Sequence, residues 1–225
     1  MTCACFSVPQ RAERRLSLLP EHFARRRPYV YHLSHRDNLR HLRETGCLVP
    51  AAILMERAGR ADLLRTPRRA HERVSVDGRI IALRDQRPLR RGNAGLSRGY
   101  AFGDLVESLN RRVFFWPGDR NGPIDYGVRH FEHYEHEHPI VLRVGFAALA
   151  ASNPLVEPLF CRYNSGSPRC SYGRRSPRGP GTFLTAAAFD GTPNQVVEVT
   201  FENEIALPPG TEFAGQPGGP WRSLF

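Results

Sequence analysis

Lysine is absent from this 225-residue chain: all 32 basic residues are arginine. A GC-rich coding sequence can produce that skew without any selection for binding. The net charge of +10 and the pI near 10.1 therefore favour a polyanionic partner, nucleic acid or an anionic cofactor, without identifying one. Long apolar runs are missing as well. None approaches the roughly 18 residues that a membrane span needs, and no apolar h-region follows the N-terminal charges, so the expected location is cytoplasmic, with no membrane partner. The five cysteines are odd in number and include no CxxC pair, which argues against a secreted disulfide framework and for reduced thiols. None sits in a recognisable local frame for nucleophilic catalysis. No GxGxxG turn and no GxxxxGK[ST] loop occurs, which removes the Rossmann and P-loop readings.

What is present reads as one domain with ragged ends. Residues 1–27 combine Arg14, Arg15 and the run Arg25, Arg26, Arg27 with little apolar periodicity, the mark of a flexible basic arm ending at Pro28. The domain proper is expected over 28–207, with 208–225 a frayed Gly/Pro-rich tail. Tyr29 to Leu33 is a β-rich pentamer. Ser34 and Asp37 have the spacing of an N-cap and its N3 partner before a short helix with Leu39 and Leu42 on one face and Gly46 as its stop. A second helix is predicted from about Ala51 to Leu64. Val74 to Leu83 forms two strand-like runs around Asp77-Gly78, a strong hairpin signal. Helical spacing returns at Phe102, Leu105, Val106 and Leu109.

Val113 to Trp116 reads as a central strand broken by Pro117-Gly118, 124–138 as a polar helix, and Ile140 to Val144 as a buried strand. Residues 162–181, rich in Gly, Pro, Ser and Arg, read as a long mobile loop. Gln195 to Phe201 alternates apolar and polar residues and so predicts a half-exposed strand. Short strands with a few helices inserted early and in the middle point to an α+β fold.

The most conspicuous polar cluster is His130, His133 and His136 at three-residue intervals. Imidazoles on one helix face can bind zinc, but the spacing fits no metal signature such as HExxH, and an exposed His/Glu helix accounts for it without a metal. There remain a histidine on the first strand, arginines after the hairpin, an aromatic strand and Glu198 on the last strand. In that order they carry a resemblance. Tyr31-His32-Leu33-Ser34-His35-Arg36-Asp37-Asn38-Leu39, followed by an apolar helix and Gly46, resembles the opening motif of the DarT-like ADP-ribosyltransferases, with Ser34 keeping the hydroxyl of the usual threonine. Arg112-Val113-Phe114-Phe115-Trp116-Pro117, with Arg120 and Tyr126 after it, is similar to that family's aromatic strand and turn, and Gln195 to Phe201 resembles its last motif. Phe114-Phe115-Trp116 and Asn164-Ser165-Gly166 also resemble a related uncharacterised bacterial domain of the same fold.

The resemblance implies a split β-sheet core and an NAD-dependent transferase that moves ADP-ribose to a nucleic-acid base, DNA or RNA, and releases nicotinamide. It implies Glu198 as the catalytic carboxylate, facing positive charge on the ribose. Arg87 would offset pyrophosphate charge, preferred over Arg84 because Pro88 restricts the turn beside it. His32 would bond the ribose, Ser34 and Asn38 the amide or ribose, and Trp116 or Tyr126 would stack on the nicotinamide ring. A toxin role with an antitoxin or other protein partner belongs to the same reading. The alternatives are a non-catalytic nucleic-acid- or protein-binding module on this fold and an RNA 2′-phosphotransferase-type enzyme that also uses NAD.

Overall fold

The computed structural model describes residues 18–167 and 177–225 and is a mixed α/β domain. In chain order its elements are α1 (Pro20–Arg26), β1 (Tyr29–Ser34), α2 (Leu39–Thr45), β2 (Cys47–Leu48), α3 (Ala51–Arg57), β3 (Glu72–Val76), β4 (Arg79–Leu83) and α4 (Phe102–Asn110). There follow β5 (Val113–Asp119), β6 (Gly122–Pro123), α5 (Asp125–Tyr134), β7 (Ile140–Gly145), α6 (Phe146–Ser152), β8 (Leu159–Cys161), β9 (Glu198–Phe201), β10 (Ile205–Ala206), β11 (Glu212–Ala214) and β12 (Arg222–Ser223). The main sheet runs β12-β11-β7-β1-β5-β9-β8, with β6 on β5. Small sheets β2-β10 and β3-β4 lie apart from it, and the strand ladders described are antiparallel.

Strand β5 changes partners along its length, and that change positions the site. Its second half pairs with β1 through Tyr29↔Gly118, Val30↔Pro117 and Tyr31↔Trp116, while its first half pairs with β9 through Val113↔Phe201, Phe114↔Thr200 and Phe115↔Val199. Beyond Tyr31, β1 stays in register with β7 as far as Ser34↔Ile140 but leaves β5. A cleft opens where the two strands part. Pro117 does not break β5: it has no N–H to give, yet its carbonyl accepts the N–H of Ile124 at 2.9 Å.

The β3-β4 hairpin turns on Asp77 and Gly78, at φ 51° and 74°, and α2 ends at Gly46 with φ 65°, all positions that favour glycine or a short polar residue. Ser34 is not the cap before α2. It belongs to β1, and the His35 imidazole accepts the N–H of Asp37 instead. The helix expected over 51–64 stops at Arg57 and yields to a short 3-10 turn at Ala61–Leu63.

Both ends of the domain are more ordered than their composition suggests. Residues 20–26 form α1, with Pro20 in its first turn, and Phe23 is fully buried against Phe146 and Phe160 at centroid distances of 4.8 and 5.2 Å. Burying one such ring contributes about 2–3 kcal/mol, enough to hold a two-turn helix on the sheet. The rest of the expected arm, 1–17, lies outside the described residues. The expected tail is sheet: β11 pairs with β7, and Leu224 is buried. Of the expected loop over 162–181, 168–176 lies outside the described residues, while Ser165 and Arg178 are buried. Strand β9 is buried at all four positions and not half exposed, because α4, Phe183 and the 163–165 segment cover its second face.

Candidate active site

One cavity of about 270 Å³ occupies the cleft where β1 and β5 part, and His32, Ser34, Asn38, Arg84, Trp116, His130, Ser165 and Glu198 are among the residues lining it. The first and last motifs of the chain meet there. Glu198 opens β9 opposite Cys161 of β8, and its side chain is almost wholly shielded from solvent. One carboxylate oxygen, Oε1, accepts the backbone N–H of Ser165 at 3.1 Å. Oε2 is buried and makes no hydrogen bond. Burial pushes the Glu198 carboxyl up to about 7, against the Ser165 hydroxyl beside it, the Ser165 backbone N–H and the charge of Arg178, which all pull it down. The group therefore exchanges a proton near neutral pH.

His32 marks the fork between the strands. Its Nδ1 lies 2.9 Å from the Phe114 carbonyl, the group left exposed once β1 leaves β5. A carbonyl only accepts, so Nδ1 carries the proton and Nε2 is an acceptor. Burial lowers this histidine to about 4, so the ring is neutral at pH 7. Ser34 is buried, and its hydroxyl accepts a bond from Asn38 Nδ2 at 3.3 Å. Asn38 lines the cavity but is already committed: Nδ2 also donates to the Ala82 carbonyl, and Oδ1 accepts the Ala82 N–H, both at 2.9 Å. Its amide extends β4 as a further strand would, and holds the hairpin to the first motif. Asn38→Ala is expected to lower stability by about 2–4 kcal/mol, two backbone groups losing their partner, as read by urea unfolding. A loss confined to ligand binding would return Asn38 to the role expected from sequence.

The second wall is aromatic and cationic. Trp116 packs on His130 with centroids 4.6 Å apart, His130 on Tyr134 at 5.0 Å, and the Arg84 guanidinium lies 4.0 Å from the Tyr134 ring centroid. Burial, then Arg84, lowers His130 to about 3, so it too is neutral. The Arg84 nitrogens Nη1 and Nη2 are buried without a hydrogen bond, as is Trp116 Nε1. Arg84 Nη2 stands 3.7 Å from Glu137 Oε2, an ion pair too long for a hydrogen bond, so the guanidinium keeps its donors for an anion.

Arg87, the arginine expected from sequence, does not line the cavity. Its Nε is 2.8 Å from Asp85 Oδ2 and its Nη2 is 3.0 Å from Glu137 Oε1, so its fork is occupied. Tyr126 is absent from the cavity too. It lies in the first turn of α5 and is 40% exposed. The histidine series also divides: His130 faces the cavity, whereas His133 and His136 are exposed.

Among the described residues, the set with donor atoms close enough for a metal is His71, Asp85 and Glu137. His71 Nε2 is 2.7 Å from Glu137, its Nδ1 accepts the Asp85 N–H at 3.0 Å, and Arg87 bridges both acids. Those donors already satisfy one another. No GxSxG elbow is expected for this chain, yet Gly95-Leu96-Ser97-Arg98-Gly99 has its letters. Ser97 pairs its N–H with the Arg178 carbonyl at 2.8 Å, and no histidine or acid bonds its hydroxyl among the described residues, so it has no activating base.

The family model of DUF7002, described as a family of unknown function, matches residues 28–208. The chain belongs to DUF7002. No curated protein and no solved structure matches it. For this member of DUF7002 the chemistry must therefore be read from the cavity itself. It offers a carboxylate that titrates near neutrality, two neutral imidazoles, an aromatic wall and a guanidinium without a hydrogen bond. Arg84, which the sequence placed second, and Ser165, which it named only within Asn164-Ser165-Gly166, line this site, and Arg178, to which it gave no role, bonds the segment behind Glu198, because these roles rest on contacts between distant segments.

Proposed function

We propose that this chain is an NAD-dependent ADP-ribosyltransferase acting on a nucleic-acid base. The observation that carries the reading is the convergence of His32 and Glu198 on one cavity, with Glu198 Oε2 buried and without a hydrogen bond. NAD fits the unsatisfied groups: a dinucleotide brings a pyrophosphate for Arg84 and ribose hydroxyls for His32 Nε2 and Glu198 Oε2. When bound, it supplies the ADP-ribosyl group and nicotinamide as leaving group. Glu198 then serves in two ways. Ionised, it stabilises positive charge at the sugar carbon; with its carboxyl balanced near neutrality, it can also take the acceptor's proton at Oε2. Trp116 and His130 line the cavity with aromatic surface for a planar group. The net charge of +10 supports a polyanionic acceptor.

The test is incubation of the full chain with NAD labelled in the adenosine moiety and a mixed-sequence oligonucleotide, single-stranded and duplex, beside Glu198→Ala. Label is expected on the oligonucleotide with wild type only. Transfer that persists in Glu198→Ala removes the carboxylate from the reaction. Failure of wild type to bind NAD, with the oligonucleotide still bound, replaces the enzyme by a binding module.

A further inference from the structure

We infer that Arg178 is the positioning residue of this site: its guanidinium holds two successive carbonyls so that the Ser165 N–H grips one oxygen of Glu198 and leaves the other open. The inference deepens the proposed function but rests on geometry that exists without any substrate. Arg178 is 1% exposed, among the largest side chains buried in the domain. Its Nη2 donates to the Asn164 carbonyl at 2.8 Å and its Nε to the Ser165 carbonyl at 3.5 Å, with the Tyr163 ring centroid 4.1 Å from the guanidinium carbon. The Tyr163 hydroxyl donates to the Pro177 carbonyl at 3.2 Å, tying the same two segments from the other side. Arg178 is itself pinned. Its N–H donates to Gly95 and its carbonyl accepts from Ser97, both at 2.8 Å.

An apolar residue of the same size would fill this space without the penalty of taking a charge out of water. What it lacks is a rigid fork able to hold two carbonyls at once. With the carbonyls of Asn164 and Ser165 drawn to one guanidinium, the N–H between them is fixed in direction, and it meets Glu198 Oε1. Asn164 Oδ1 accepts the Ser167 N–H at 3.0 Å and closes the turn. The ionisable groups that act on Glu198 are Cys161 opposite it on β8, Tyr163 and Arg178, with His32, Arg84, Arg112 and His130 among those lining the same cavity. Of these, Arg178 alone both carries positive charge and holds the segment bonded to the carboxylate.

The experiment uses the full chain carrying Arg178→Met or Arg178→Lys, with ¹³C-labelled glutamate carboxyls titrated by NMR, Glu198 assigned through Glu198→Gln, and hydrogen exchange followed at the Ser165 amide. In Arg178→Met the Glu198 midpoint is expected to rise by about one pH unit and the Ser165 amide to lose its protection. In Arg178→Lys the charge stays but the fork is gone, so the midpoint moves less while protection is still lost. A folded Arg178→Met with both readouts at wild-type values overturns the inference. So does loss of cooperative melting in both variants, which would make Arg178 an anchor of the fold. Neither readout needs NAD, so a chain without transferase activity would sink the proposed function and leave this one standing.

Discussion

Glu198→Gln is expected to slow transfer severely while making the protein harder to unfold at alkaline pH. The two effects share one cause. A carboxylate with Oε2 buried and unbonded is held in an unfavourable state by the fold around it, and under the proposed function the same state makes it reactive. Its carboxyl titrates at about 7 in the folded chain against 4.5 as its ordinary value. The folded state therefore holds this proton more tightly than the unfolded chain does. Below pH 4.5 both forms are protonated and the group is neutral toward folding. As pH rises to 7, ionisation increasingly favours the unfolded chain, and above 7 the penalty is complete, at most roughly 3 kcal/mol.

Glutamine has no ionised form, so its advantage in melting temperature over wild type is expected to be small at pH 4.5 and largest at pH 8. The loss of transfer is expected to be about 10²- to 10⁴-fold, the usual worth of a general acid or base. Melting curves from pH 4.5 to 8 and label transfer at pH 7.5 check both halves. A stability gap that stays constant over that range would mean that Glu198 does not titrate there, and would remove the account of burial given above.

The parts of the fold legible in the sequence are those whose signals are local. Asp77-Gly78 between two β-branched runs made a hairpin, Gly46 stopped a helix, and Phe102, Leu105, Val106 and Leu109 lie on one buried helix face. Where the reading failed, a distant segment had changed the meaning of a local pattern. The alternation of Val197, Val199 and Phe201 with Glu198 and Thr200 predicts one wet face, but α4 and the Ser165 turn cover that face and bury the two polar residues. That same failure marks the candidate site, since a strand that buries its polar positions does so where a carboxylate is needed away from water. Arg25 to Arg27 concealed Phe23, a single aromatic among charges, whose role depends on Phe146 and Phe160 more than a hundred residues later. His130 was legible as a histidine on a helix, but its place beside Trp116 was not.

The choice between Arg84 and Arg87 shows the same limit and yields the second large effect. Pro88 made Arg87 the better guess, because a restricted turn presents a side chain with little loss of entropy. Yet the Arg87 fork is taken by Asp85 and by Glu137, a residue fifty positions away that local sequence could not connect to it. Arg84 leaves β4 three residues earlier and packs on Tyr134, with its Nη2 3.7 Å from Glu137 Oε2 and neither Nη hydrogen-bonded. Calorimetric titration of NAD is expected to show binding weakened by about 10- to 100-fold in Arg84→Met, since each charge-assisted hydrogen bond contributes about 1.5–3 kcal/mol. The melting temperature of that variant should change little, because losing the 3.7 Å pair with Glu137 and the contact with Tyr134 is offset by removing a buried charge that makes no hydrogen bond.

Arg87→Met is expected to do the reverse. NAD binding should change little, while stability falls by about 1 kcal/mol, a modest figure because Arg87 is half exposed and its ion pairs are screened. Asp85 gives that loss its direction: its side chain is only 1% exposed, and without Arg87 it keeps the Tyr134 hydroxyl but loses its cation. Were Arg87→Met to lose NAD and Arg84→Met to keep it, the anion would have to sit outside the cleft. The convergence of His32 and Glu198 would then no longer describe where a dinucleotide lies.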